Sequence, residues 1–456
     1  MCGLVQSRRI AAAGVAAMLL IGSAAFAAPI TTKEGVLPPG SDLGETVADQ
    51  PTELFATELA GGKRSYMQKL GDMLFSSPAI LGGVARQAGI SCATCHQQGA
   101  GNAALYIPGL SSRPGNFDTT GALFNAKADN GLFDPVTPPS LRGAKFLAPY
   151  GHDGRFASLR DFIRNVVVNE FAGPEPSGEV LDALVAYVQD IAFLPNPKLN
   201  SDGKLTDAAS EAAHRGEHIF NRPFPHDAAT SCASCHQPSS AFVDHQVHDV
   251  GSGGFFKTKT LINAKFNAPY FHDGRFDSYD QVVGYFDKHF DLGLNAAERA
   301  DLVAYLDAVG DATEPTTPDT VQSELDEIAV FVSVLDTAIR EHNAPVIAVA
   351  VDTVGGEWRE LGEHIPEAKD TSVHGGLRER IKARGAVREM VLALRQIDMA
   401  AARGDFDAAA EAYADYRSQV APAATALAAA EPWSLFNVAV RRQHFAALGR
   451  LADLAK

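Results

Sequence analysis

Cys92-Ala93-Thr94-Cys95-His96 and Cys232-Ala233-Ser234-Cys235-His236 decide how this chain is organised. Each places two thiols at i and i+3, about one helical turn apart, with an imidazole directly behind them. Thiols so spaced form thioethers to the two vinyl groups on one porphyrin edge, and the next His reaches the iron from below. A four-cysteine zinc site, two redox dithiols or two disulfides would use the same cysteines. A zinc site or disulfide leaves both histidines unexplained, and a redox dithiol has no reason to occur twice with the same trailing residue. The spacing predicts two covalently attached haem c groups on Cys92, Cys95, Cys232 and Cys235, with His96 and His236 as proximal iron ligands.

Working outward, the duplication extends well beyond these motifs. Leu141-Arg142-Gly143-Ala144-Lys145-Phe146-Leu147-Ala148-Pro149-Tyr150-Gly151-His152-Asp153-Gly154-Arg155-Phe156 recurs 120 residues later, as Leu261-Ile262-Asn263-Ala264-Lys265-Phe266-Asn267-Ala268-Pro269-Tyr270-Phe271-His272-Asp273-Gly274-Arg275-Phe276. Gly71-Asp72-Met73-Leu74-Phe75 answers Gly216-Glu217-His218-Ile219-Phe220, and Leu184-Val185-Ala186-Tyr187 answers Leu302-Val303-Ala304-Tyr305. Such self-similarity marks a repeated structural unit. Each unit reads as helix, haem motif, long loop, Ala-Pro-Tyr turn and closing helices. Tyr66, Leu70, Met73 and Leu74 recur at helical spacing before the first haem motif, and Leu181, Leu184, Val185 and Val188 after it. Two such helices bury little alone, so the porphyrin has to centre each core.

The fold class is therefore mostly α: two tandem cytochrome c-like haem domains, 29–200 and 201–313, followed by an α-helical bundle over 318–456. Pro-rich stretches at 194–198 and 313–318 punctuate the units. The last segment is Ala-rich and Cys-free, and Val321, Leu325, Ile328, Val332 and Leu335 give it an amphipathic face. Its histidines, His342, His364, His374 and His444, are too scattered to name a metal site.

Arg8 and Arg9 precede an apolar run from Ile10 to Phe26 that ends in Ala25-Phe26-Ala27. This reads as a signal peptide over 1–28, cleaved near Ala27 or Ala28, with a periplasmic product. No later stretch is long and apolar enough to span a bilayer. Acidic residues number 55 against 39 basic ones, a net charge of −16 that argues against a nucleic-acid partner.

The glycine and leucine spacing ahead of Phe75, the tandem haem motifs, Thr137-Pro138-Pro139-Ser140-Leu141-Arg142 and Ala268-Pro269-Tyr270-Phe271-His272-Asp273-Gly274 together resemble the bacterial dihaem cytochrome c peroxidases. The methylamine-utilisation dihaem enzymes are close relatives within that group. The resemblance covers about residues 60 to 312. It implies that the C-terminal haem accepts electrons from a small redox protein, a cytochrome c or cupredoxin, while the N-terminal haem reduces hydrogen peroxide. It also implies a distal Glu as acid/base, for which Glu170 is the nearest match, and allows a calcium ion between the domains.

The departures from that pattern bear on the ligands. No His lies between His96 and His152, so the removable ligand of reductively activated members has no counterpart. Phe286 stands where the family's usual Met ligand falls, with Tyr285 one residue earlier and His289 a helical turn further on. Tyr285 and His289 are thus the candidate distal ligands of the second haem, and either would lower its potential relative to Met. The only tryptophans, Trp358 and Trp433, lie in the C-terminal segment rather than between the haems. Three functional readings stand at this level: a peroxidase, a dihaem enzyme oxidising a protein or small-molecule substrate, and a non-enzymatic electron carrier.

Overall fold

The computed structural model describes residues 36–44 and 50–454, and side chains as far as residue 447. The signal-peptide reading of 1–28 lies outside the described residues.

The first unit is framed by α1 (Tyr66–Phe75) and α4 (Gly178–Asp190), which pack along each other. Ser65 starts α1 with a capping box: its hydroxyl accepts from the Gln68 amide, and the Gln68 side chain accepts from the Ser65 amide. Leu70, Met73 and Leu74 of α1 and Leu181, Leu184 and Val188 of α4 are buried, as the 3.6-residue period requires. Between these helices lie α2 (Cys92–Cys95), a single turn carrying the first haem motif, and α3 (Leu159–Asn165). A π-helical turn, Val166–Glu170, continues α3 and ends at the buried Glu170.

The second unit repeats the plan. Its frame is α5 (Glu211–Asn221) against α8 (Ala296–Gly310), with α6 (Cys232–Cys235) and α7 (Tyr279–His289) between. The repetition extends to the helix crossing. At Gly71 an added Cβ would stand 2.0 Å from the Ala183 carbonyl oxygen, and at Gly216 it would stand 2.0 Å from that of Asp301. No side chain larger than hydrogen fits either crossing. The repeated turns match as well: both Ala148-Pro149 and Ala268-Pro269 are cis, and Tyr150 bridges Phe156 as Tyr270 bridges Phe276. Asp153 and Asp273 each accept from the amide two residues on, with Gly154 and Gly274 at positive φ between. A short hairpin, β2 (Val247–Asp249) with β3 (Phe255–Lys257), projects from the second unit.

The two units clasp each other reciprocally. The Thr137 amide donates to the His272 carbonyl (2.8 Å), and the Lys257 amide, at the position equivalent to Thr137 in the repeat, donates to the His152 carbonyl (2.9 Å).

After β4 (Thr316–Thr317), which pairs antiparallel with β1 (Gln50–Pro51), come α9 (Val321–Val332), α10 (Val334–Arg340), α11 (Ala344–Glu363), α12 (Leu377–Ala402), α13 (Phe406–Ala430) and α14 (Val438–Leu454). α12 and α13 form an antiparallel pair joined at Gly404, and α11 packs on α12. At its centre the fully buried Trp358 donates its indole N–H to the Tyr416 hydroxyl at 2.9 Å. The buried faces of α9, α10 and α11 meet α1, so these helices and the first haem unit share one continuous apolar core. The Thr353 hydroxyl donates to that of Ser77 across this junction at 2.7 Å, in a buried position. The second unit keeps a separate, smaller core around Phe220, Phe242, Leu302 and Tyr305.

Candidate functional site

α2 and α6 are too short to be stable alone, and neighbouring bonds fix each one. A side-chain to backbone bond to the third residue of the motif closes the turn: the Ser91 amide donates to the Thr94 hydroxyl (3.1 Å), and the Ser231 amide to that of Ser234 (2.9 Å). The trailing imidazoles are oriented by the loops that follow. His96 Nδ1 bonds the Pro139 carbonyl at 2.9 Å, and His236 Nδ1 bonds the Phe242 carbonyl at 3.2 Å. A ring that donates Nδ1–H to a carbonyl keeps its lone pair on Nε2, the tautomer an iron ligand needs. Burial lowers both imidazoles, His96 to about 4, so both are neutral near pH 7.

Each imidazole is backed by the same aromatic pair. Phe75 lies 6.3 Å from the His96 ring and 5.1 Å from Tyr187; Phe220 lies 6.5 Å from His236 and 4.8 Å from Tyr305. The four thiols are free, and burial raises Cys92 and Cys95 to about 12, mainly by desolvation. Among the described residues, the single group with metal-ligand spacing is Cys235, Asp244 and His248, which includes a haem-motif cysteine.

All four cysteines and both histidines face one cavity of about 690 Å³ that runs between the two units. Its walls are largely apolar, with Phe117, Val167 and Phe171 in the first unit and Val283, Phe286 and Leu302 in the second. Such a space would suit two flat, largely apolar macrocycles, each held by a Cys pair and a neutral imidazole. The residues present therefore fit two haem groups.

Glu170 lines this cavity with a side chain only 9 % exposed. Its Oε1 accepts from Arg155 Nη2 at 2.9 Å and from Asn165 Nδ2 at 3.0 Å. Burial raises its carboxyl, and Arg155 partly opposes that shift. The π-helical turn sets this position, because the wider turn carries Glu170 to the cavity end of the helix. Asp118, Thr119 and Asp153 share that wall.

Tyr285 and His289 stand elsewhere. The Tyr285 hydroxyl donates to the Val250 carbonyl at 2.6 Å, its ring stacks on His289, and the residue of that turn facing the cavity is Phe286. His152 ties the first turn to Thr137, its Nε2 lying 2.9 Å from the Thr137 carbonyl, while His272 stacks on Phe256 with ring centroids 3.7 Å apart.

Two functional candidates escaped sequence reasoning: Lys257 and Lys259, both lining the cavity, with His152 and His272 beside them. Burial lowers each ammonium to about 8. Carrying the repeat two residues upstream of Leu141 and Leu261 aligns Lys259 with Pro139, and that mismatch was the available signal.

Residues 210–335 match the family model described as di-haem cytochrome c peroxidase. Over these residues the chain resembles that family. Members of that family carry two haem groups, and the match, with the peroxidase relatives below, supports an oxidoreductase of cytochrome c peroxidase-like kind. The chain is 27% identical over 285 residues to hydrazine synthase subunit gamma of Kuenenia stuttgartiensis, an alignment covering 49% of this chain and 73% of that one. It is 32% identical over 108 residues to the cytochrome-c peroxidase IdrP2 of Denitromonas iodatirespirans and 34% identical over 89 residues to IdrP1 of Pseudomonas sp. (strain SCT). Those two alignments span only 29% and 22% of the peroxidases. A solved structure of Kuenenia stuttgartiensis hydrazine synthase, pressurised with 20 bar xenon, aligns with a TM-score of 0.41 at 22% identity, covering 66% of this chain and 99% of that one. Among the described residues no helix is long and apolar enough to cross a membrane.

Proposed function

We propose that this protein is a periplasmic dihaem c-type cytochrome that reduces hydrogen peroxide with electrons from a small redox protein. The single observation carrying this reading is Glu170, buried in the same cavity as His96 and held by Arg155 and Asn165. Cys92 and Cys95 would bind the first haem and Cys232 and Cys235 the second, with His96 and His236 beneath the irons. When bound, the haems supply iron that exchanges electrons with peroxide and with the donor. The chain supplies the proton handling. A carboxyl raised by burial holds its proton nearer neutrality than a surface Glu does, and the Arg155 and Asn165 bonds leave it one orientation. Glu170 therefore takes a proton from one peroxide oxygen and delivers it to the other. The apolar walls keep bulk water from that transfer.

Phe286, standing where a ligand would, supports a second haem without Tyr285 or His289 on its iron; those two rings form a packing pair. The aromatic pairs behind both imidazoles support electron passage between the units without tryptophan. The periplasmic placement rests on the C-x-x-C-H chemistry. A second reading, oxidation of a small-molecule substrate, is favoured by the longest of these alignments, with hydrazine synthase subunit gamma.

The test is the optical spectrum of the haem-loaded protein, oxidised and half-reduced, with and without hydrogen peroxide, alongside oxidation of a reduced cytochrome c. A high-spin haem that reacts with peroxide and turns over the donor is the expected result. Two low-spin haems inert to peroxide would leave an electron carrier, and reaction without donor turnover would favour the second reading.

A further inference from the structure

The two repeats place Pro139 and Lys259 at equivalent positions, 120 residues apart. The Pro139 carbonyl accepts from His96 Nδ1, whereas His236 Nδ1 bonds the Phe242 carbonyl. The lysine side chain is therefore an addition peculiar to the second unit.

That side chain enters the cavity. Lys259 is closely surrounded by protein atoms yet remains half-exposed, because the surface it shows is the cavity wall. Lys257, two residues before it and the last residue of β3, lines the same space. Their ammonium groups rest on carbonyls: Lys259 on Phe271 at 3.2 Å, Lys257 on Pro149 at 2.7 Å and on Leu147. Among the described residues neither forms an ion pair with a carboxylate. The acid nearest Lys259 in effect, Asp273, is already held in a two-pronged pair by Arg275 at 2.6 and 2.8 Å. Each ammonium has three N–H groups, and Lys259 spends one of them on Phe271. Enclosed cations without a counter-charge are costly, which makes an anionic group in this part of the cavity the expected complement. The position is also specific: Lys257 takes part in the reciprocal clasp, so both lysines sit at the joint between the haem units.

We propose that Lys259, assisted by Lys257, is a carboxylate receptor at the joint between the units and that its occupant is a haem propionate. Each haem would bring two such carboxylates, whereas Pro139 offers the first unit no equivalent donor. The pairing makes Lys259 a positioning residue for one haem and a fixed positive charge near its iron. A positive charge there favours the reduced iron, which carries one less charge, and so raises the potential of that haem. This inference depends on the two-haem reading and not on peroxide reduction. A free oxyanion would satisfy the same chemistry, and the experiment separates the two sources.

The test is an optical redox titration of the haem-loaded wild type, Lys259→Met and Lys259→Arg in anion-poor buffer, repeated with inorganic phosphate at constant ionic strength. Haem content per chain is measured first; fewer than two haems in the wild type would sink the two-haem reading and leave this question behind it. With two haems present, Lys259→Met should lower the potential of one haem and leave the other unchanged, Lys259→Arg should restore it, and phosphate should move neither. Lys265→Met, which removes a lysine paired with Asp311 on the surface of the second unit, should behave as wild type. Unchanged potentials in Lys259→Met overturn the proposal, as does a shift that appears only with phosphate, which would assign the lysine to a free anion. If Lys259→Met fails to load, Lys259→Gln removes the same charge. Loss of haem from both neutral variants with retention in Lys259→Arg would support the charge pairing, and loss from Lys259→Arg as well would overturn it.

Discussion

Substituting Gly71 by Ala isolates the crossing of α1 and α4. The new Cβ would lie 2.0 Å from the Ala183 carbonyl oxygen and 2.7 Å from Tyr187 Cβ. Both neighbours are backbone or backbone-proximal, so neither swings aside, and the helices must separate by roughly 1 Å to reach ordinary contact. Overpacking of this kind costs about 3 kcal/mol, at the upper end of the range because the blocking atom is main chain. Alanine's better helix propensity returns about 1 kcal/mol. The net loss of about 2 kcal/mol corresponds to a fall in Tm of roughly 4–8 °C for a unit of this size. Tyr187 backs Phe75 and hence His96, so the separation should also loosen the imidazole and broaden the Soret band. Gly216→Ala meets the same two distances in the second unit and should disturb the second haem alone. Gly178→Ala is the control, because its Cβ meets nothing nearer than Arg160 at 3.6 Å. Thermal unfolding of the haem-loaded variants, followed by far-UV circular dichroism and Soret absorbance, reads all three. A Gly71→Ala protein melting within a degree of Gly178→Ala would refute the reasoning.

Glu170→Gln should lower peroxide turnover by about 10²–10⁴-fold while leaving haem content unchanged; steady-state oxidation of reduced cytochrome c at more than half the wild-type rate would remove Glu170 from the mechanism. Cys232→Ala with Cys235→Ala should leave one covalent haem per chain, read by haem staining on a denaturing gel, and two stained haems would contradict the attachment scheme. Glu327 of α9 is raised by burial and by the nearby Asp72, Glu324 and Glu53. A carboxyl with a folded pKa above its unfolded value stabilises fully below the unfolded value near 4.5 and loses that contribution as pH climbs to its folded value. Glu327→Gln should therefore stabilise the protein by about 1–3 kcal/mol at pH 8–9 and hardly at pH 4; equal melting shifts at both pH values would show that the carboxylates do not repel. Thr353→Val should cost about 1 kcal/mol by removing the buried bond to the Ser77 hydroxyl, which keeps only the Ala79 amide, and an unchanged denaturant midpoint would discount the junction it spans.

The two Cys-x-x-Cys-His motifs were legible because they are contiguous, and the structure brings all six of their side chains to one cavity. The repeated turns were legible for the same reason: Asp and Gly at fixed offsets specify local backbone. Glu170 was reachable only through resemblance, because the π-helical turn that aims it leaves no mark in composition or period. Tyr285 shows the matching difficulty. One step along a helix rotates a side chain by about 100°, so counting residues from a motif does not reveal that Phe286 faces the cavity while Tyr285 turns to Val250. The amphipathic face over Val321–Leu335 announced helices, but not that they would lean on α1. That packing joins residues some 250 positions apart and depends on shape rather than local pattern. Lys259 was hidden because a lysine after a strand reads as a surface residue until the void beside it is seen.

The shared core of the first haem unit and the C-terminal helices also imposes an order of assembly on a chain made from its N-terminus. Residues 201–313 can complete their own small core before the rest is available, whereas the first unit waits for a face supplied more than a hundred residues further on. The segment written first is therefore finished last. Until then the buried flank of α1, with Leu70 and Leu74, stays open to whatever protein or membrane surface lies nearby. A chain stopped at residue 313 would carry both haem motifs and still expose that flank. The final helices are the seal on that flank.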